Sequence, residues 1–376
     1  MNAKSSRPRR FSGKFVTGFS IVELLVAALI GMLAIAAITQ SYISSEGTKR
    51  ALSASGDSIV AGTISLYLLE REARTAGFGL SSTATLGCSV RAVFAGDVSS
   101  PAPTDTTVFN PPIFPFQFAP IVIHQGATTD QITILYASSE STGLPVKLTS
   151  ALPAGAAKMF VSTNYYFNDN GLAILSDGDG GCAMIQVASR DTSMPSLLNL
   201  DPKSPWNSSS SLFPKTEFPI GAAVFDMGSL GLKRFFVNSS DSTLRMAEVS
   251  MQKTGSLTST ETTILAKGVV GLKAQYGYSA SVTSTTVASW SNTAPTSNAD
   301  WRQLVAVRLA IVLRSPQPSK YKTSPADGTC EQPTPSNMTW SGGTVPIIDS
   351  ATEATCYRYQ VYETTIPIRN RIWTLN

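Results

Sequence analysis

The chain has 376 residues, 43% of them hydrophobic and only 14% charged, well below the globular norm of about 25% charged. Ser, Thr, Gly and Pro fill the gap, a mixture that suits short strands and many turns, and the one histidine, His124, argues against a multi-histidine metal centre or several His-based catalytic sites. The net charge of +4 belongs to the N-terminal segment: residues 1–18 hold Lys4, Arg7, Arg9, Arg10 and Lys14 with no acid, which leaves 24 Lys+Arg against 25 Asp+Glu elsewhere, so the body has no excess of cations for a nucleic-acid backbone.

After this basic leader comes Gly18-Phe19-Ser20-Ile21-Val22-Glu23, and then an almost unbroken apolar run from Leu24 to Ile38. From Phe19 to Ile38 the run has the length of a membrane-spanning helix. The positive leader places its start on the cytoplasmic side of the inner membrane and the rest of the chain beyond it. An ordinary secretory signal would have a shorter apolar region ending in a small-residue cleavage site; here the glycine stands before the run. Glu23 is costly inside it, by at least about 2.5 kcal/mol at a bilayer centre, and therefore calls for a positive partner within an assembly, or else for a place at the lipid headgroups.

Helical character continues to about Gly77, with no proline between Ser41 and Gly77. Ile59, Thr63, Leu66 and Leu69 trace an apolar stripe at helical spacing, with Val60, Ile64 and Tyr67 beside it. Gly47, Gly56 and Gly62 predict bends or breaks, at about 1 kcal/mol each relative to alanine. Arg71 and Arg74 lie near the helix's negative end, and Gly77 is a natural stop.

Beyond residue 80 the pattern becomes strand-like: Gln131–Tyr136, Lys158–Phe167, Cys182–Ala188, Leu232–Asn238, Thr243–Val249, Gly268–Tyr278, Gln303–Leu313 and Tyr357–Pro367. The run Leu304–Leu313 is the most apolar and is expected to be central. The Ser/Thr/Pro/Asn-rich stretches 97–120, 190–219, 279–300 and 315–350 read as long surface loops. The expected fold is α+β: a long N-terminal helix, apolar in its first half, packed on a large antiparallel sheet domain. Its parts are a leader (1–18), a transmembrane and assembly helix (19–77) and a β-rich domain (78–376).

Four cysteines, Cys88, Cys182, Cys330 and Cys356, show no C-x-x-C spacing and so no zinc-ribbon or thioredoxin-like motif. In an exported chain an even number of distant cysteines predicts two disulfides. Three pairings are possible; adjacency favours Cys88–Cys182 and Cys330–Cys356. Asp177-Gly178-Asp179-Gly180-Gly181 and Asn168-Asp169-Asn170-Gly171 could offer oxygen ligands to calcium, but lack the EF-hand frame and read first as turns. His124 reads as a strand-end residue. No nucleophile–base constellation can be assembled around it, and no phosphate-binding or hydrolase motif stands in its proper context, so neither enzyme activity nor a cofactor is expected.

The stretch GFSIVELLVAALIGMLAIAAI (18–38) resembles the class III signal of type IV prepilins and type II secretion pseudopilins. In that family a prepilin peptidase cuts after the glycine, here Gly18, and N-methylates the next residue, here Phe19. The family's glutamate falls on Glu23, and in a stack of subunits it neutralises a neighbour's terminal ammonium. The run Ala73-Arg74-Thr75-Ala76-Gly77-Phe78, the segment Val269–Gly277 and the ending Tyr362–Arg371 with its Arg369-Asn370 resemble PilW-type minor pilins and the related J-type minor pseudopilins. Many major pilins carry a proline in the first half of this helix, where Gln40 stands here; this and the large domain favour a minor subunit. The resemblance implies a minor pilin of a type IV pilus that joins other minor pilins and the major pilin in a complex priming or capping the fibre. It would be held first in the inner membrane and later in the fibre. A J-type pseudopilin and a tip adhesin using the long loops are the alternatives.

Overall fold

A computed structural model describes residues 18, 20–80, 85–92, 116–137, 145–178, 181–207, 216–251, 257–259, 262–318, 336–349 and 356–372. The chain divides into two compact units, residues 1–53 and 54–376.

In the first unit helix α1 (Ile21–Arg74, continuing into the second unit) begins with 23 residues, Ile21–Ile43, that are long and apolar enough to cross a membrane, and none of that apolar stretch is buried. Thr39 turns its hydroxyl back onto the Ile35 carbonyl at 2.8 Å, which satisfies the polar group within the helix itself. Helical bonding runs through Gly47, Gly56 and Gly62 without a break, contrary to the expectation from their propensities.

The second unit corrects the helix face. The buried positions are Ala54, Ser58, Gly62, Ser65, Leu69 and Ala73, spaced at helical period, whereas Ile59, Val60, Ile64 and Tyr67 are at least half exposed. Small side chains win the inward face because they let the helix axis approach the sheets. A Cβ on Gly62 would lie 2.6 Å from the Tyr362 ring. Of the stripe expected from hydrophobicity, Leu69 is buried and Leu66 packs against the core, while Ile59, toward the start of the docked half, is turned outward by steric fit.

Three main sheets follow. The C-terminal sheet has the order Val287–Ser291, Val269–Ser279, Leu304–Arg314, Tyr359–Pro367, all antiparallel, with the expected apolar strand in its middle. The middle sheet joins Ile121–His124, Gln131–Ala137, Leu230–Asn238 and Thr243–Met251, with Leu257–Ser259 and Thr263–Lys267 pairing along the last of these. The third sheet runs Phe116–Gln117, Ser89–Ala92, Gly181–Gln186, Leu172–Ser176, Ala223–Gly228, Val146–Lys147; its pairings are antiparallel except that Ser89–Ala92 lies parallel to Gly181–Gln186.

One core lies under α1, where Leu69 and Ala73 meet Ile132, Phe235, Leu272, Tyr276, Leu309 and Ile366 of the middle and C-terminal sheets. A second fills the space between the middle and third sheets, with Leu135, Leu232 and Val249 against Ile174, Met184 and Phe225. The middle sheet is thus covered on both faces: Leu232 and Phe235, on opposite faces of Leu230–Asn238, are both buried, although Lys233 and Arg234 interrupt the strand's apolar run.

Several elements differ from the sequence expectation. The strand expected over 158–167 stops at Phe160, and Asn164 instead spends its side-chain amide on the carbonyls of Asp191, Met194 and Leu197, a loop-to-loop brace that no local pattern announces. The loop 279–300 contains an edge strand and the short helix α2 (Asn298–Gln303). Within 315–350 the hairpin Asn337–Trp340/Gly343–Pro346 covers the outer face of the C-terminal sheet. Leu172–Ser176, wholly buried, lies between the two Asp/Asn/Gly turns that mask it in the sequence.

Candidate assembly site

The start of α1 carries two of the three residues singled out for processing and assembly. Gly18 is exposed; Phe19 and the leader before Gly18 lie outside the described residues. Glu23 sits in the first turn, and its Oε2 accepts the backbone N–H of Ser20 at 3.1 Å, while the Ser20 hydroxyl accepts the N–H of Val22 at 3.3 Å. Glu23 therefore supplies the carboxylate half of the Ser-x-x-Glu cap at the helix start, while the Ser20 hydroxyl meets the N–H of Val22 rather than that of Glu23. This signal was legible in the sequence and was missed. A carboxylate has two acceptor oxygens, so the cap uses one and leaves capacity on the other.

The docked half of α1 is held by contacts from distant segments. Lys233, on the face of the middle sheet toward the helix, donates to Glu72 at 2.7 Å, and Arg71 reaches the same carboxylate at 2.8 Å. Burial pushes the Glu72 carboxyl up, but the hydrogen bonds and charges of Lys233 and Arg71 outweigh it and hold the group below the usual carboxylate range. The Lys233 ammonium also lies 5.2 Å from the centre of the Tyr136 ring, and the Tyr136 hydroxyl donates to Glu248. Burial, then the Glu248 bond and charge, push that phenol well above its ordinary value. Past the helix, Gly77 adopts φ +76° and donates its N–H to the Leu135 carbonyl at 2.9 Å, and Ala137 donates to the Phe78 carbonyl at 2.9 Å. The Ala73–Phe78 run, read from sequence as a simple glycine stop, is thus the seam between helix and middle sheet.

Cys88 and Cys182 form a disulfide that ties Ser89–Ala92 to its parallel partner. Cys356 is buried and disulfide-bonded; its expected partner Cys330 lies outside the described residues. In the Asn168–Gly171 turn Asp169 accepts the Arg190 N–H at 2.9 Å and Asn170 takes φ 60°, so these side chains serve the turn. Asp179 and Gly180 lie outside the described residues. Among the described residues no group of three His, Cys, Asp or Glu side chains is placed to hold a metal.

His124 ends its strand. Its Nε2 is 2.9 Å from the Thr133 hydroxyl and 3.5 Å from the guanidinium of Arg234, which is itself buried and donates to Thr133 at 3.0 Å. Burial, and then the Arg234 charge, bring the imidazole down to about 4, and burial brings Arg234 to about 10. Because the folded value lies below the unfolded one of about 6.5, the unfolded chain binds a proton first. Stability is complete above about pH 6.5 and is lost as the pH falls toward 4, by about 3 kcal/mol in all. Thermal unfolding of the full chain in detergent at pH 7 and pH 4.5 should show this loss, and His124→Gln should remove most of it. An equal acid shift in both proteins would assign the effect to carboxylates instead.

An apolar helix preceding a body of antiparallel sheets is the α+β arrangement expected of a type IV pilin-like protein. Residues 234–370, less than half of the chain, match the profile of a family described as PilW, Type IV Pilus-assembly protein W. The match runs from Arg234 to Asn370 and so takes in the whole C-terminal sheet. Among solved structures the chain is similar to a type IV-like pilin from Thermus thermophilus, with 9% identity, a TM-score of 0.32, and coverage of 82% of this chain and 94% of that one. No curated protein matches the sequence.

Proposed function

We propose that this protein is a non-catalytic minor pilin of a type IV pilus, which joins other minor pilins and the major pilin in a complex that primes or caps the fibre. The observation that carries this reading is the unburied apolar stretch Ile21–Ile43 on a chain whose C-terminal sheet matches a pilus-assembly family. About six turns of apolar helix need a membrane or other helices around them. In this reading the precursor sits in the inner membrane with its body in the periplasm. Prepilin peptidase cuts after Gly18 and methylates Phe19, and the helix then passes from lipid into the fibre.

The exposed ridge Ile59, Val60, Ile64 and Tyr67 extends the same apolar character into the second unit, where packing against neighbouring helices would cover it. Glu23 meets the terminal ammonium of an adjacent subunit with the oxygen that its own cap leaves over. Glu23→Val removes a polar group from the apolar run, so membrane insertion should persist or improve. Assembly should fall, because the neighbour's ammonium would have to be buried unpaired. In cells lacking the native copy, precursor processing, membrane level and surface fibres are measured separately. Normal piliation, with the variant recovered in its complex at wild-type amounts, would refute the pairing.

A further inference from the structure

The end of α1 uses its glycine in an unusual way. In the common glycine cap the N–H of the left-handed residue returns to a carbonyl of the helix's last turn. Here the Gly77 N–H goes instead to Leu135 of the middle sheet. Of the carbonyls just past the helix, Thr75 accepts the Phe78 N–H at 3.0 Å within the turn, whereas Ala76 is met from elsewhere: the side-chain amide of Asn370 lies 2.8 Å from the Ala76 oxygen, and 3.4 Å from the Thr75 oxygen. Ala76 is 1% exposed, so without this bond its carbonyl would depend on a donor in a place closed to bulk water, which is costly.

The donor comes from 294 residues away. Asn370 lies in the short helix α3 (Arg369–Ile372), directly after the strand Tyr359–Pro367 has paired along Leu304–Arg314. Its position is fixed by Ile368, which is buried and donates its N–H to Val305 at 2.9 Å. The chemistry is selective. The oxygens at a helix C-terminus carry partial negative charge, so they require a donor, and an amide nitrogen presents two N–H groups, one for each carbonyl.

We propose that Asn370 is a latch by which the end of the chain seats the end of the assembly helix. The second half of α1 is then locked onto the sheets only once the last strand is in place. An unfinished or C-terminally clipped chain keeps the Lys233–Glu72 and Gly77–Leu135 contacts but leaves the Ala76 carbonyl at the helix end without its donor, so that end is loosely seated. The latch does not depend on which assembly the chain joins.

The test is hydrogen exchange on the full-length protein in detergent, comparing wild type, Asn370→Ala and Asn370→Asp. Loss of the donor should speed exchange about tenfold at the amides of residues 66–80, the order expected for one hydrogen bond. The strands 172–176, 181–186 and 223–228 of the third sheet should keep their wild-type rates. Asn370→Asp has the same shape but sets a carboxylate against the carbonyl oxygens, so it should loosen the same amides more than alanine does. Asn370→Ser keeps one donor and should fall between wild type and alanine. The latch is overturned if alanine leaves residues 66–80 at wild-type rates. It is also overturned if aspartate protects as well as asparagine, which would make shape sufficient, or if exchange rises equally in the third sheet, which would mean general destabilisation.

Discussion

Asp130→Ala is expected to destabilise the folded body by about 3–5 kcal/mol, the range for removing one partner of a buried ion pair. The Asp130 side chain has no exposed surface and the Lys273 side chain only 15%. The carboxylate accepts the Lys273 ammonium at 2.8 Å, the Gly126 N–H at 3.1 Å and the Ala274 N–H at 3.0 Å. The same ammonium donates to the Gly126 carbonyl at 2.7 Å. One acid thus ties the turn between the first two strands of the middle sheet to the strand Val269–Ser279, where the two sheets meet under α1. Alanine leaves a charge and two backbone donors without their acceptor.

Denaturant unfolding of the full chain in detergent would measure the loss. Asp130→Ala combined with Lys273→Met should cost less than Asp130→Ala alone, because the stranded ammonium is then gone. A loss under about 1 kcal/mol for the single variant would show that the pair contributes no more than an exposed one.

Removing the bridge between Cys88 and Cys182 should cost about 4 kcal/mol. The two residues are 94 apart in sequence, and cross-linking a loop of that length removes a large share of the unfolded chain's freedom. The strand it secures has little else: Ser89–Ala92 pairs over four residues with Gly181–Met184, in parallel, and with the two-residue strand Phe116–Gln117. Both sulfurs lie in the core between the middle and third sheets, beside Val90 and Met184, so alanines there leave small gaps rather than unpaired polar groups. The paired variant Cys88→Ala/Cys182→Ala isolates this bridge, because a reductant would also open the one at Cys356. A denaturation midpoint within error of wild type would show that the sheet registers itself without the bridge.

What the chain reveals residue by residue depends on how local each feature is. The apolar span, the basic leader, the glycine before the run and the acid within it are contiguous, and all are plain in the sequence. So is Leu304–Leu313, whose apolar character, broken only by Arg308, marks a strand covered on both faces. The Ser20–Glu23 contact is equally local: besides its charge in the apolar run, Glu23 stands three residues after Ser20, the spacing that caps a helix start. The helix face is legible only in part: Leu66 and Leu69 pack on the core as their spacing predicts, but Ile59 does not. Periodicity says that one face is buried, but not which of two competing faces. The small residues Gly62, Ser65 and Ala73 gain close approach to the sheets, and this exceeds what Ile59 and Ile64 would gain from burial at a greater distance.

What the sequence determined by itself is the order of the parts: a basic leader, an apolar helix of membrane-spanning length, and a strand-rich body poor in charge. These follow from composition and periodicity over neighbouring residues, where the chain carries its own signal. The tertiary structure alone decided the rest: that Asn370 closes the end of a helix begun at Ile21, that Asp130 waits for Lys273, and that Lys233 reaches Glu72. Each joins residues more than a hundred positions apart. Their pairing depends on strand register and on the burial that makes an unmet donor or charge costly, and neither exists until the sheets have formed.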